Sequence, residues 1–185
     1  GASSLVAIKL GQKDYRSAND VLANVVILNM LLGSLIMAVG LYWLEPILYA
    51  FGASAETIVY AREYMEIILW GNILTHIYFG LNSMLRSMGH PKISMYATIL
   101  AVTLNVVLDP IFIFVLDMGV RGAALATIVS QLVSVIVELI IFLNPKEVIH
   151  FHRHMWRIRK DITMRALSIG LAPFLMHLAA CFVVI

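Results

Sequence analysis

Six apolar stretches, separated by charged, glycine or proline stops, constrain this chain more than any other feature. The first, Gly1 to Leu10, reads as the last turns of a helix. A long run from Ala18 to Leu44 follows and ends at Glu45-Pro46, because proline resists continuing a helix. Ile47 to Ser54 is expected as a loop, with Ser54 as N-cap of a helix from Ala55 to Ser87. Gly89-His90-Pro91 stops that helix. Lys92 to Leu116 comes next, then a tight turn at Asp117-Met118-Gly119, then Val120 to Leu143, closed by Asn144-Pro145. The last run starts near Thr163. A membrane-spanning helix needs about 20 mostly apolar residues, and the middle four runs reach that length.

Composition agrees. Only 13% of the 185 residues are charged and 61% are hydrophobic, against about a quarter charged in soluble domains. The expected fold is an all-α, polytopic transmembrane helix bundle. A net charge of +2 gives no basis for a nucleic-acid partner, and the single cysteine, Cys181, rules out a disulfide framework. No nucleophile–base pair or phosphate-binding loop is present to suggest an enzyme. Gly1 and Ile185 each lie inside an apolar run, so both ends are expected to be truncations of a longer chain.

Lys and Arg set the orientation. Lys9, Lys13 and Arg16 mark the first connection, and Arg86 and Lys92 the third. The fifth carries Lys146, Arg153, Arg157, Arg159, Lys160 and Arg165, whereas the second carries none and the fourth only Arg121. Alternation of this kind puts the odd connections in the cytoplasm of a plasma-membrane protein. In the fifth connection, Val148, Phe151, Met155, Ile158 and Ile162 fall on one helical face, with His150, His152, Arg153, His154, Arg157, Arg159 and Lys160 on the rest. That is the pattern of a basic amphipathic helix in the interface. The arginines disfavour a metal at the histidine tract.

An ionisable residue inside a span is costly, about 2.5 to 3.5 kcal/mol at mid-helix on insertion scales. Asp109, in Leu104-Asn105-Val106-Val107-Leu108-Asp109-Pro110-Ile111-Phe112, is the clearest case. Asn105 is four residues earlier, on the same face. Pro110 has no N–H for the Val106 carbonyl. Oxygen ligands on one face suit Na⁺ or a proton. Asp109 and Thr127 each lie nine residues from Met118, so an antiparallel hairpin brings them to similar depth. Gly122, Ala126 and Ser130 form a small-residue strip for close helix approach. Thr127, Gln131, Ser134 and Glu138 form a polar stripe, with Glu138 near the inner end and within reach of water. Counted from the start of its helix, Tyr64 reaches the depth of Asp109. The candidate site is therefore Asp109, Asn105, Thr127 and Tyr64. Asp109 also has a purely structural reading, as the partner of a proline-broken backbone. Thr127 has one as a hydroxyl bonded to its own helix. Glu66 is placed to pair with Arg62 at i,i+4, and His76 and His177 read as core histidines.

The sequence resembles the multidrug and toxic compound extrusion transporters of the larger flippase superfamily. The resemblance rests on Leu10-Gly11-Gln12-Lys13-Asp14-Tyr15, on Phe51-Gly52-Ala53-Ser54 with Ala61, Tyr64 and Gly71, and on Leu85-Arg86-Ser87-Met88-Gly89-His90-Pro91-Lys92. Its most specific part is Asn105 to Phe114 followed by Gly119 to Thr127, like the branch with Asn and Asp-Pro in helix five. Twelve helices in two lobes are implied, with residues 1–143 a partial N-lobe from the end of helix two to helix six. Residues 144–162 would be a cytoplasmic inter-lobe linker and 163–185 the start of helix seven. The resemblance implies an N-lobe Na⁺ or H⁺ site at Asp109, Asn105 and Thr127, with Tyr64 nearby and a further acidic residue on helix one. It implies a cofactor-free antiporter of small organic cations, in a lipid bilayer and without an obligate protein partner. A lipid or lipid-linked saccharide flippase is the alternative within the superfamily.

Overall fold

The computed structural model describes residues 1–151 and 159–184, without the side chains of His177, Cys181, Phe182, Val183 and Val184. The described residues form seven α-helices: α1 (Ala2–Gly11), α2 (Tyr15–Tyr42), α3 (Leu44–Ala50), α4 (Ile58–Ser87), α5 (Pro91–Pro110), α6 (Gly119–Phe142) and α7 (Lys160–Val184). A π-helical segment, Ile111–Val115, extends α5. The fold is the expected all-α bundle. Among the described residues four helices are long and apolar enough to cross a membrane: Tyr15–Tyr42, Pro91–Val115, Gly119–Phe142 and Lys160–Ala180.

Local chemistry explains the boundaries. Asp14 caps α2, its carboxylate accepting from the Ser17 N–H at 3.2 Å and from Lys9 Nζ at 3.2 Å. Hydrogen bonds from Ser17, ahead of the one from Lys9, hold this carboxyl below the usual range. Trp43 separates α2 from α3. The expected loop from Ile47 is instead helical through Ala50. Pro46 is tolerated because it lies in the first turn, where no intrahelical N–H bond is due. Ser54 is not the cap of the next helix, which starts later, at Ile58 after Thr57. Ser54 N–H donates to Thr57 Oγ1 at 2.9 Å and Thr57 N–H to Ser54 Oγ at 3.2 Å, a reciprocal pair ahead of the helix.

α4 is the centre of the bundle and packs against α1, α2, α3, α5 and α6. At 30 residues it is the longest helix. Two polar residues near its middle bond to neighbouring helices. Asn72 Nδ2 donates to the Gly33 carbonyl at 3.0 Å, and Thr75 Oγ1 to Gln131 Oε1 at 2.7 Å. Such bonds replace the hydrophobic drive that is missing between helices in lipid. Gly33 is needed at the first crossing, because a Cβ there would lie 2.9 Å from Ile73 Cα and 3.4 Å from the His76 ring. The main core joins Val6, Val21, Leu22, Leu81, Leu85 and Phe142 at the end of the bundle holding the α4–α5 turn.

α5 opens with Pro91 at its first position and carries Pro110 at its last. The helical ladder then widens: Leu116 N–H donates to the Ile111 carbonyl at 2.9 Å and Met118 N–H to that of Phe112 at 3.1 Å. A π-turn of this kind follows where proline withholds a donor and often marks a functional position. The chain turns at Asp117 (φ 52°) and Gly119 (φ 54°). α6 then packs closely along α5. The small strip Gly122, Ala126 and Ser130 is buried. A Cβ on Gly122 would lie 2.7 Å from the Phe112 carbonyl carbon.

The start of the fifth connection departs from the amphipathic-helix expectation. Residues 144–150 form turns and bends, Val148 is exposed, and Ile149 is the buried anchor. The Phe151 ring packs at a tilt against Phe142, with centroids 5.9 Å apart. His150 N–H donates to Asn19 Oδ1 at 2.8 Å and Arg159 N–H to Asn24 Oδ1 at 3.0 Å, so both described ends are tied to α2. Met155, Ile158, His152, Arg153, His154 and Arg157 lie outside the described residues.

Candidate ion-binding site on the α5–α6 hairpin

Helical spacing and the tight turn bring three of the four expected residues together. Asn105 Nδ2 donates to Asp109 Oδ1 at 3.2 Å within α5. The same nitrogen donates across the hairpin to Thr127 Oγ1 at 3.3 Å. The Thr127 hydroxyl spends its own proton on the Ala123 carbonyl at 3.1 Å. Its remaining lone pairs therefore face Asn105 as acceptors. All three side chains are half-buried. The arrangement is two oxygens of different type turned toward one amide.

Tyr64 is not part of this trio. α4 and α6 run parallel, with Thr75 bonded to Gln131 and Asn82 to Glu138, an offset of 56 residues in both pairs. Thr127 is therefore level with Gly71, and Tyr64 lies seven residues nearer the start of α4. At 1.5 Å per residue that is about 10 Å. Tyr64 makes no hydrogen bond among the described residues. The depth count misplaced it because α4 starts at Ile58 rather than Ala55 and because helix ends do not share one plane.

A cleft of about 270 Å³ runs from Asn105 and Thr127 past Ser130 and Gln131 to Thr98 and Tyr78. Beyond it the polar stripe on α6 ends at Glu138. Water was the expected partner of this residue, but it is wholly buried. Its Oε1 accepts from Asn82 Nδ2 at 2.9 Å. The sequence signal for Asn82 is an amide inside an apolar span. Glu63 and Glu66 are exposed on clefts at the other end of α4. Arg62 pairs with Glu45 at 2.8 Å rather than with Glu66, because α3 folds back onto α4. Among the described residues no group of three or more His, Cys, Asp or Glu is arranged to hold a metal.

Comparison with known proteins identifies the scaffold. The MatE family profile matches residues 1–111. The multidrug export protein MepA of Staphylococcus aureus (strain bovine RF122 / ET3-1) is 29% identical over 182 residues, 98% of this chain and 40% of MepA. MepA of Staphylococcus saprophyticus is 30% identical over 178 residues, 96% of this chain and 40% of that protein. An inward-facing structure of a multidrug resistance MATE family transporter of the MOP superfamily superposes with a TM-score of 0.87 at 30% identity, covering 92% of this chain and 39% of that one. The chain thus spans about two fifths of the length of these relatives. The relatives are named for export and transport rather than for an enzymatic reaction. The chain belongs to the MatE family of membrane transporters.

Proposed function

We propose that the protein carrying this chain is an antiporter that exports small organic, cationic compounds, driven by inward Na⁺ or H⁺ bound at Asp109. Asn105 and Thr127 complete the site. The observation that carries this reading is the Asn105 amide, whose NH₂ group lies between Asp109 Oδ1 at 3.2 Å and Thr127 Oγ1 at 3.3 Å. In this conformation the amide hydrogens stabilise the two oxygens as a cation would. Turning the amide over would present its oxygen instead, so that carboxylate, hydroxyl and amide oxygens converge on a Na⁺, as hard cations require. A proton on Asp109 would satisfy the same geometry by donating to the turned amide. The Val106 carbonyl, which Pro110 cannot bond, is a further oxygen on the same stretch.

Ion binding can drive transport only if it favours one conformation over the other. The wide-turned segment after Pro110, pressed on Gly122, is the element that such a bias would act on. On this reading residues 1–143 belong to one lobe, 144–162 link it to the next, and 163–185 begin the second. The basic connections face the cytoplasm of a plasma-membrane protein that needs no cofactor and no obligate protein partner. The name of the MepA relatives supports small-molecule export.

The test is dye efflux from vesicles containing the complete protein, with a Na⁺ gradient and a pH gradient imposed separately. Efflux driven by one of them supports the reading and names the ion. No efflux under either gradient, together with gradient-independent movement of a labelled lipid, would replace it with the flippase alternative.

A further inference from the structure

Glu138 is wholly buried in α6, with one oxygen engaged and the other not. Oε1 accepts from Asn82 Nδ2 at 2.9 Å, while Oε2 is buried without a hydrogen-bond partner. The orientation of Asn82 is fixed by its other contacts. Its Oδ1 accepts from Arg86 Nη1 at 2.5 Å and from Ser94 Oγ at 2.8 Å, so the NH₂ group must face Glu138. That NH₂ also approaches the Ser94 carbonyl at 3.1 Å and Thr98 Oγ1 at 3.3 Å. A built polar cluster therefore surrounds the carboxyl and leaves one of its atoms unanswered. Glu138 forms no ion pair among the described residues.

The helices packed on α6 supply few charges. On α4, Arg86 is the cation of the cluster, held one residue away by Asn82. Tyr78, also on α4, reaches the cluster through Thr98 at 3.4 Å. At the start of α5, His90 is engaged with Glu147 at 3.0 Å and Lys92 is exposed. The π-helical segment carries no titratable residue. An ionised Glu138 would leave a buried charge with bare lone pairs, which is far costlier than a neutral carboxyl with one unmet O–H.

We propose that Glu138 is a second proton-binding site of this chain, distinct from Asp109, with Arg86 as its displaceable counter-ion. The neutral carboxyl stands beside Asn82 while the guanidinium is held on the far side of that amide. On deprotonation the Oε2 proton passes to water at the end where Arg86 is exposed, and Arg86 turns from Asn82 to the carboxylate. Thr98 belongs both to this cluster and to the cleft that reaches Asn105 and Thr127. The two sites are thus joined through Thr98 of α5.

The inference does not depend on the export reading, and it is tested without transport. Infrared difference spectra between acidic and mildly alkaline pH are recorded on the complete protein in lipid. A protonated-carboxyl C=O band that disappears on raising the pH is expected, and Glu138→Gln should remove it while Asp109→Asn leaves it in place. Glutamine keeps the acceptor for Asn82, so a purely structural Glu138 predicts identical spectra for Glu138→Gln and the parent. Arg86→Gln, which leaves Glu138 itself unchanged, should increase the neutral fraction at a fixed neutral pH. Identical spectra in Glu138→Gln, or a Glu138 band that never titrates, would overturn the proposal.

Discussion

Asn105 donates one amide hydrogen to Asp109 at 3.2 Å, one helical turn along α5, and the same nitrogen reaches Thr127 on the facing helix at 3.3 Å. A single side chain thus couples the carboxylate to the hairpin partner. Removing it while keeping bulk, as in Asn105→Leu, strands both oxygens. In the ion-bound state the variant also lacks the amide oxygen that would contact the ion, a charge-assisted contact of about 1.5 to 3 kcal/mol. The ion concentration for half-maximal efflux should therefore rise about ten- to a hundredfold, read from efflux against a titrated driving ion.

Thr127 offers a cleaner contrast. Thr127→Ser keeps the oxygen that Asn105 contacts, whereas Thr127→Val keeps shape and removes it. Serine should retain ion dependence within about threefold, and valine should weaken it about tenfold, for one lost ligand or hydrogen bond of about 1 kcal/mol or slightly more. Equal behaviour of the two variants would assign Thr127 to packing alone.

Gly122 sets the distance between the two helices. A Cβ there would lie 2.7 Å from backbone atoms of Phe112, which cannot turn aside as a side chain can. Gly122→Val should lower the thermal midpoint, at a cost of about 1 to 3 kcal/mol for overpacking, and weaken ion binding as well. Gly11→Ala is the control, since nothing lies within 4 Å of the added carbon.

Thr75 and Gln131 meet at 2.7 Å in the middle of the α4–α6 interface. A double-mutant cycle of Thr75→Val and Gln131→Leu should give a coupling of about 0.6 kcal/mol, the average for such bonds between membrane helices. The exposed Arg62–Glu45 pair should contribute about 0 to 1 kcal/mol in the same assay.

What was legible in the sequence was whatever depended on local spacing. The apolar runs gave the helices, the four-residue step joined Asn105 to Asp109, and symmetry about Met118 placed Thr127 opposite them. The rest depended on how separate helices slide against each other. Tyr64 was misplaced because depth counted from a helix end ignores the 56-residue offset of α4 against α6. The burial of Glu138 was hidden for the same reason, since its partner Asn82 is 56 residues away. In the linker, helical periodicity selected Val148, but the chain is not helical there and Ile149 turns inward instead.

The central claim is that Asp109 binds the coupling ion. The most direct test is ion binding to the purified complete protein, measured as Na⁺ uptake and as proton exchange, in the parent and in Asp109→Asn of matched thermal stability. The account predicts saturable binding of one of the two ions in the parent and its loss in Asp109→Asn. Undiminished binding of that ion in Asp109→Asn would contradict it and leave Asp109 as a structural carboxylate.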